Sequence, residues 1–183
     1  MKYSAWTWNW GLLSALLLTY LLSVGLFGFM AYLTDTPSYI NAVHLLFGDS
    51  DAPDRLHRLV KPVALLLPSL GYALGLPVRW GLGAQQFLAY MGCGLLLYHI
   101  FRILFEDDFK AFWGALLLVG CQPMAIFGTA YLTDAVGWFF GLWGSYWGLR
   151  LLAKAKTNFL PFLGIGLLAG VGFFAKESAA VSG

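Results

Sequence analysis

The sequence predicts an all-α fold: a polytopic transmembrane helical bundle of about five spans, with an extracytoplasmic loop that carries an interfacial or re-entrant helix. Three observations predict it. Of the residues, 60% are hydrophobic and only 11% charged, so uncharged stretches have to be long. A hydrocarbon core of about 30 Å needs about 20 helical residues at ~1.5 Å each, and several runs of that length lack Asp, Glu, Lys and Arg. One long polar segment, 34–61, separates the first run from the rest.

Each element follows in order. The first run, 11–33, is too long for a signal-peptide core and has no small-x-small cleavage pattern at its end, which makes it a retained anchor with Trp6, Trp8 and Trp10 at its interface. The outer loop, 34–81, contains the apolar stretch 63–76. Its 14 residues would reach about 21 Å as a helix, short of the core thickness. Pro68 and Gly71 lie inside it and Pro62 and Pro77 bracket it, so it reads as interfacial or re-entrant. Spans then follow at 82–101, 111–132, 135–152, which carries only Arg150 near its end, and 158–175, which runs up to Lys176-Glu177. With no internal repeat, heptad or low-complexity linker, 1–183 reads as a single transmembrane domain. Glycines four apart, as in Gly137 and Gly141, Gly144 and Gly148, and Gly166 and Gly170, predict close helix packing in lipid. Cys93 and Cys121 lie in apolar runs and read as packing residues.

With 63–76 held at the interface, the ends of the first and third spans fall on one face, and Asp35 and Asp134 fall there with them. Lys2, Arg102, Lys110, Arg150, Lys154 and Lys156 gather on the N-terminal side, which by the positive-inside rule puts the N-terminus in the cytoplasm of a multi-pass cell (inner or plasma) membrane protein. Arg55, Arg58, Lys61 and Arg79 in the outer loop run against that count. An inverted six-span arrangement would collect more positives inside, but needs the short stretch to span.

A net charge of +2 with no basic block excludes nucleic acid as a partner. Carboxylates at a water-membrane boundary, such as Asp35 and Asp134, can activate a hydroxyl or hold a metal against a lipid-borne substrate. Their structural alternatives are helix caps: Asp35 or Thr36 before a helix with Pro37 in its first turn, and Thr133-Asp134 at the start of the fourth span. Arg55 and Arg58 read as a solvated face or as contacts to lipid headgroups. His44 and His57 match no strong ligand spacing, so the metal requirement is unknown. His99 reads as a hydrogen-bonded packing residue, and Glu106-Asp107-Asp108 as a loop acid run capping the third span. Trp138, Trp143 and Trp147 share a helix and serve either packing and lipid contact or stacking on a sugar ring.

The order of these features resembles a family. The chain has an acidic motif after the first helix, Asp35-Thr36-Pro37-Ser38-Tyr39, and a basic-proline element before an interfacial helix, Lys61-Pro62-Val63. A helix closes on Arg102-Ile103-Leu104-Phe105, Thr133-Asp134 ends the third span, and Gly166-Leu167-Leu168-Ala169-Gly170 precedes Lys176-Glu177. In this it is similar to the GT-C membrane glycosyltransferases, especially the polyprenyl-phosphate-sugar-dependent protein mannosyltransferase and aminoarabinose transferase branch. The chain departs from that branch in Thr36, where many members have a second acid, and in Val63, where many have a second proline. Members usually have about twice as many spans and a C-terminal portion, so the chain is expected to be the N-terminal part of a longer one.

The resemblance implies transfer of a sugar from a polyprenyl-phosphate-linked donor to an acceptor protein, lipid or glycan on the extracytoplasmic face, with inversion at the anomeric carbon. On that reading Asp35 is the general base, and Asp134 orients the acceptor, holds a metal or steadies nearby cations. Lys61 and Lys176 meet the donor phosphate, with interfacial snorkelling as their alternative. Tyr39, Thr133, Glu177 and Arg58 are supporting residues, and membrane lipid and the lipid-linked sugar are the partners. Two rivals remain: a non-catalytic membrane subunit or truncated remnant, and a small transporter component in which Asp134 lies on the opposite face from Asp35.

Overall fold

The computed structural model describes residues 5–27, 36–48, 61–129, 133–153 and 159–175. They form eight helices and, among the described residues, no strand: α1 (Ala5–Phe27), α2 (Thr36–Leu46), α3 (Pro62–Ala73), α4 (Val78–Phe105), α5 (Asp108–Gly120), α6 (Gln122–Thr129), α7 (Asp134–Leu152) and α8 (Phe159–Ala175). The all-α membrane bundle expected from composition is what forms. By length and apolarity alone, Thr7–Gly25 and Val78–Phe105 qualify to cross a bilayer.

Lipid tails are as apolar as leucine, so close packing and hydrogen bonds, rather than apolar burial, have to hold such helices together. On α1, Leu12, Leu16 and Tyr20 recur every four residues and face the core, while Leu17, Leu18, Leu21 and Leu22 are exposed on the lipid side. Tyr20 meets Phe87 and Tyr90 of α4, and Trp8 meets Phe109 and Phe112 of α5. The first half of α1 therefore sits beside the start of α5, and its second half beside the middle of α4. Tyr98 of α4 reaches Asp108, and Tyr90 reaches the Val119 carbonyl, so α4 and α5 run antiparallel. Cys93 against the Ala135 carbonyl and His99 against Tyr146 make α4 and α7 parallel. Gly144 opposite Ile165 and Trp147 against Gly164 make α7 and α8 antiparallel. The result is a bundle with two distinct ends.

Two boundaries differ from the sequence expectation. The apolar run 111–132 is broken at Cys121, whose backbone is extended (ψ 149°), into α5 and α6. Pro123 explains the restart: it has no N–H to extend an incoming helix but fits the first turn of a new one. Cys121 is accordingly exposed at the break, while Cys93 is buried. In the other direction, α4 extends well beyond 82–101, because Arg79 and Trp80 point outward and leave the helix uninterrupted. Its 28 residues make it about 42 Å long, and α3 packs against the first part of it. The glycine pattern is also only partly used: Gly148, Gly166 and Gly170 face open space.

How α3 is held follows from its proline. Pro68 lacks the N–H that would bond the Ala64 carbonyl one turn back. Gln85 of α4 supplies the missing donor, its Nε2 lying 3.1 Å from the Ala64 oxygen, while its Oε1 accepts from the Leu67 N–H at 3.3 Å. The approach that allows this is close: a Cβ on Gly81 would stand 2.5 Å from Pro68 Cα and 2.9 Å from the Leu67 oxygen. Next door, Gln86 is fully buried and donates to the Phe127 carbonyl at 2.7 Å, in the last turn of α6, where carbonyls lack intrahelical partners. Leu66, Leu70 and Leu74 line the outer side of α3 and its end and stay exposed, an apolar stripe suited to lipid.

Candidate functional site

Four helix termini meet at one end of the bundle. The first turns of α2 hold Tyr39, which packs with Ala42 and Val43 against Ala64 and Leu65 of α3 and Val78 and Leu82 of α4. A second buried cluster joins Ala135 and Val136 at the start of α7, Ala175 at the end of α8, and Ala89 of α4, with Val63 of α3 packed on it. The two clusters share α3, and a hydrogen bond ties them: Tyr39 Oη and Thr133 Oγ1 lie 2.8 Å apart, both residues fully buried and 94 positions apart in sequence.

That bond changes the reading of Thr133. It occupies the N-cap position of α7, yet its side chain makes no capping bond to the helix. Capping is the ordinary use of a threonine there. Here the hydroxyl engages Tyr39 instead, which holds the start of α7 against α2. Asp134, the next residue, opens α7 at its positively polarised end and is partly buried.

Lys61 directly precedes α3, where Pro62 takes the first helical position. It is 9% exposed, so most of its side chain is covered by protein. A cation in that setting must be matched by negative charge or oriented dipoles. Because Val63, Ala135 and Ala175 belong to one cluster, Lys61, Asp134 and the end of α8 stand at the same end of the bundle. Thr36 and Ser38 are buried at the start of α2. Asp35, Arg58, Lys176 and Glu177, together with Arg55 and His57, lie outside the described residues. In sequence, Asp35 abuts α2, and Lys176 abuts α8.

The opposite end is built differently. Glu106 ends α4 in the left-handed region (φ 52°). Asp107 then caps α5, its Oδ1 accepting from the Phe109 N–H at 2.9 Å and the Lys110 N–H at 3.1 Å. The hydrogen bond from the Lys110 amide, followed by that from Phe109, holds the Asp107 carboxyl below the usual aspartate range. Asp108 pairs with Arg102 at 2.8 Å and accepts from Tyr98 at 2.9 Å.

Fold and site together define a helical membrane protein whose polar residues gather where helix ends converge. The chain belongs to the dolichyl-phosphate-mannose-protein mannosyltransferase family, which it matches over residues 51–183, and so to the GT-C membrane glycosyltransferases. The matched stretch contains Lys61, Thr133, Asp134 and Lys176, and begins after the segment from Asp35 to Tyr39. No curated protein and no solved structure matches the chain.

Gln85 was missed from sequence, although it holds the helix that follows Lys61. A signal for it exists: Pro68 orphans a carbonyl inside an apolar helix, and Gln85-Gln86 is a rare amide pair inside the neighbouring apolar run.

Proposed function

We propose that the chain carries part of the active site of a membrane glycosyltransferase that moves a sugar from a polyprenyl-phosphate-linked donor to an acceptor hydroxyl on the extracytoplasmic face. The observation that carries this reading is the Tyr39–Thr133 bond, which ties the acidic segment that starts at Asp35 to the Thr133-Asp134 pair. In the reaction the acceptor oxygen attacks the anomeric carbon as its proton passes to the Asp35 carboxylate. The bond from that carbon to the donor phosphate breaks, and its electron pair leaves on the polyprenyl phosphate. Lys61, with Lys176, neutralises the charge growing on the phosphate, which is where a fixed cation lowers the barrier most. Asp134, at the start of α7, orients the acceptor. Burial of Lys61 supports this role, because a lysine that only anchored the interface would reach water.

The end of the bundle holding α2 and the start of α3 faces outward on this reading, with five crossings made by α1, α4, the α5–α6 pair, α7 and α8. A cysteine placed at exposed Leu76, with Cys93 and Cys121 replaced, is expected to react with an impermeant maleimide in intact cells; reaction only after lysis reverses the sidedness. Transfer is tested with the natural full-length protein, polyprenyl-phosphate mannose and a hydroxyl-bearing peptide. Asp35→Asn is expected to lower kcat by roughly 10²–10⁴, the usual worth of a general base. Full activity in both Asp35→Asn and Asp134→Asn would sink the assignment.

A further inference from the structure

At the end of the bundle away from the candidate site, α7 and α8 part around a cavity of about 510 Å³ lined by Trp147, Arg150, Leu151, Leu160, Pro161 and Gly164. Gly164 leaves room for the Trp147 ring, which a Cβ there would meet at 2.5 Å, so the indole lies against α8 and forms one wall. The Arg150 guanidinium is oriented by its own helix: one of its N–H groups donates to Tyr146 Oη at 3.2 Å, and its carbon lies 5.7 Å from the Tyr146 ring centroid.

Charge separates Arg150 from its neighbours. Arg102 and Lys110, the other described cations at this end, are matched by Asp108 and Asp107 at 2.8 and 3.6 Å. Arg150 has no carboxylate partner among the described residues. The connection from α7 to α8 adds Lys154 and Lys156 and contains no acid. Around the cavity Leu152, Phe159, Leu160 and Leu163 are exposed apolar side chains, so the guanidinium stands at the rim of a lipid-facing surface. A tryptophan wall and an oriented arginine at the mouth of a helix pair match the needs of an anionic headgroup above an acyl chain.

We infer that this cavity is a binding site for an anionic phospholipid, its phosphate on Arg150 and one acyl chain along Trp147 and Leu160. The lipid bridges the ends of α7 and α8 and supplies the carboxylate-like partner that Arg150 lacks among the described residues. The site stands at the other end of the bundle from Lys61 and Asp134, so it is independent of the proposed transfer reaction.

The test uses the purified protein in nanodiscs of equimolar phosphatidylglycerol and phosphatidylcholine, with retained lipid read by native mass spectrometry. The protein is expected to keep phosphatidylglycerol in preference. Arg150→Gln lowers that preference roughly tenfold, the usual worth of a charged hydrogen bond, and Arg150→Lys keeps most of it. An unchanged preference in Arg150→Gln overturns the site, as does an equal loss in Arg150→Lys, which would make packing rather than charge the cause. Displacement of the lipid by inorganic phosphate overturns the lipid assignment in favour of a soluble anion. A measurement on the unaltered protein guards against misfolded variants: photoreactive phosphatidylglycerol should crosslink to the last turn of α7 and the first turn of α8, and adducts spread evenly over the bundle surface refute the proposal.

Discussion

The two ends of the bundle handle polar residues in opposite ways. At the turn between α4 and α5, the acids are engaged by near neighbours: Asp107 by amides two and three residues on, Asp108 by Arg102 and by Tyr98 ten residues back. That end is closed locally, as a helical hairpin can be closed alone. At the other end the deciding bond joins residues 94 positions apart, and the threonine that should cap its own helix is turned toward a different one. Local closure serves stability, whereas a buried long-range bond fixes where two functional segments stand relative to each other. On the proposed reading, the difference separates the end that would carry the chemistry from the end that is closed for stability alone.

The largest effect is expected where that geometry rests on backbone contact. Gly81→Ala puts a methyl group into Pro68 and the Leu67 carbonyl, atoms that cannot swing aside, and forces α3 off α4. A loss of about 3 kcal/mol in detergent stability, with transfer abolished, is the expected outcome, at the upper end for overpacking. Unchanged thermal denaturation in Gly81→Ala would mean that α3 is not seated there. Tyr39→Phe comes next. It removes one buried hydroxyl and leaves Thr133 unpartnered by it, worth about 1–2 kcal/mol of stability. If the bond positions the site, kcat falls more than stability explains, and Thr133→Val added to Tyr39→Phe costs little further; equal, additive losses would reduce the bond to simple packing.

The smallest effect belongs to the hairpin end. The Asp107 carboxyl is held below its unfolded value, so its contribution is present above the unfolded pKa and disappears as pH falls through the lower, folded one. Asp107→Ala should therefore lower the melting temperature slightly at neutral pH and not at all in strong acid, with transfer intact. A loss of transfer in Asp107→Ala would break the division of labour between the ends.

Much of this was legible in sequence for a physical reason: lipid forces backbone bonds to close within helices, so apolar run length translates directly into elements. Where the translation erred, a single residue was weighted wrongly. By sequence Arg79 falls in the outer loop, yet its side chain points outward and α4 begins before it; Pro123 sat inside an apolar run, yet it lies in the first turn of a new helix. The candidate residues could be picked out because Lys61, Thr133 and Asp134 stand at helix ends in a recognisable order. Their proximity could not, since no local pattern encodes a bond between Tyr39 and Thr133, and Gln85 mattered only once the carbonyl orphaned by Pro68 was seen beside it.

The span of that same bond also sets a clock on biogenesis. A ribosome adding about 5–20 residues per second needs roughly 5–20 s to move from position 39 to position 133, and throughout that interval Thr133 has not been made. During it, among the described helices, α2 is seated chiefly by α3 and α4, so the newborn chain passes through a stage with its spans inserting and the Tyr39–Thr133 bond still unformed. Emergence of α7 is the moment at which the bond from Tyr39 to Thr133 can first form.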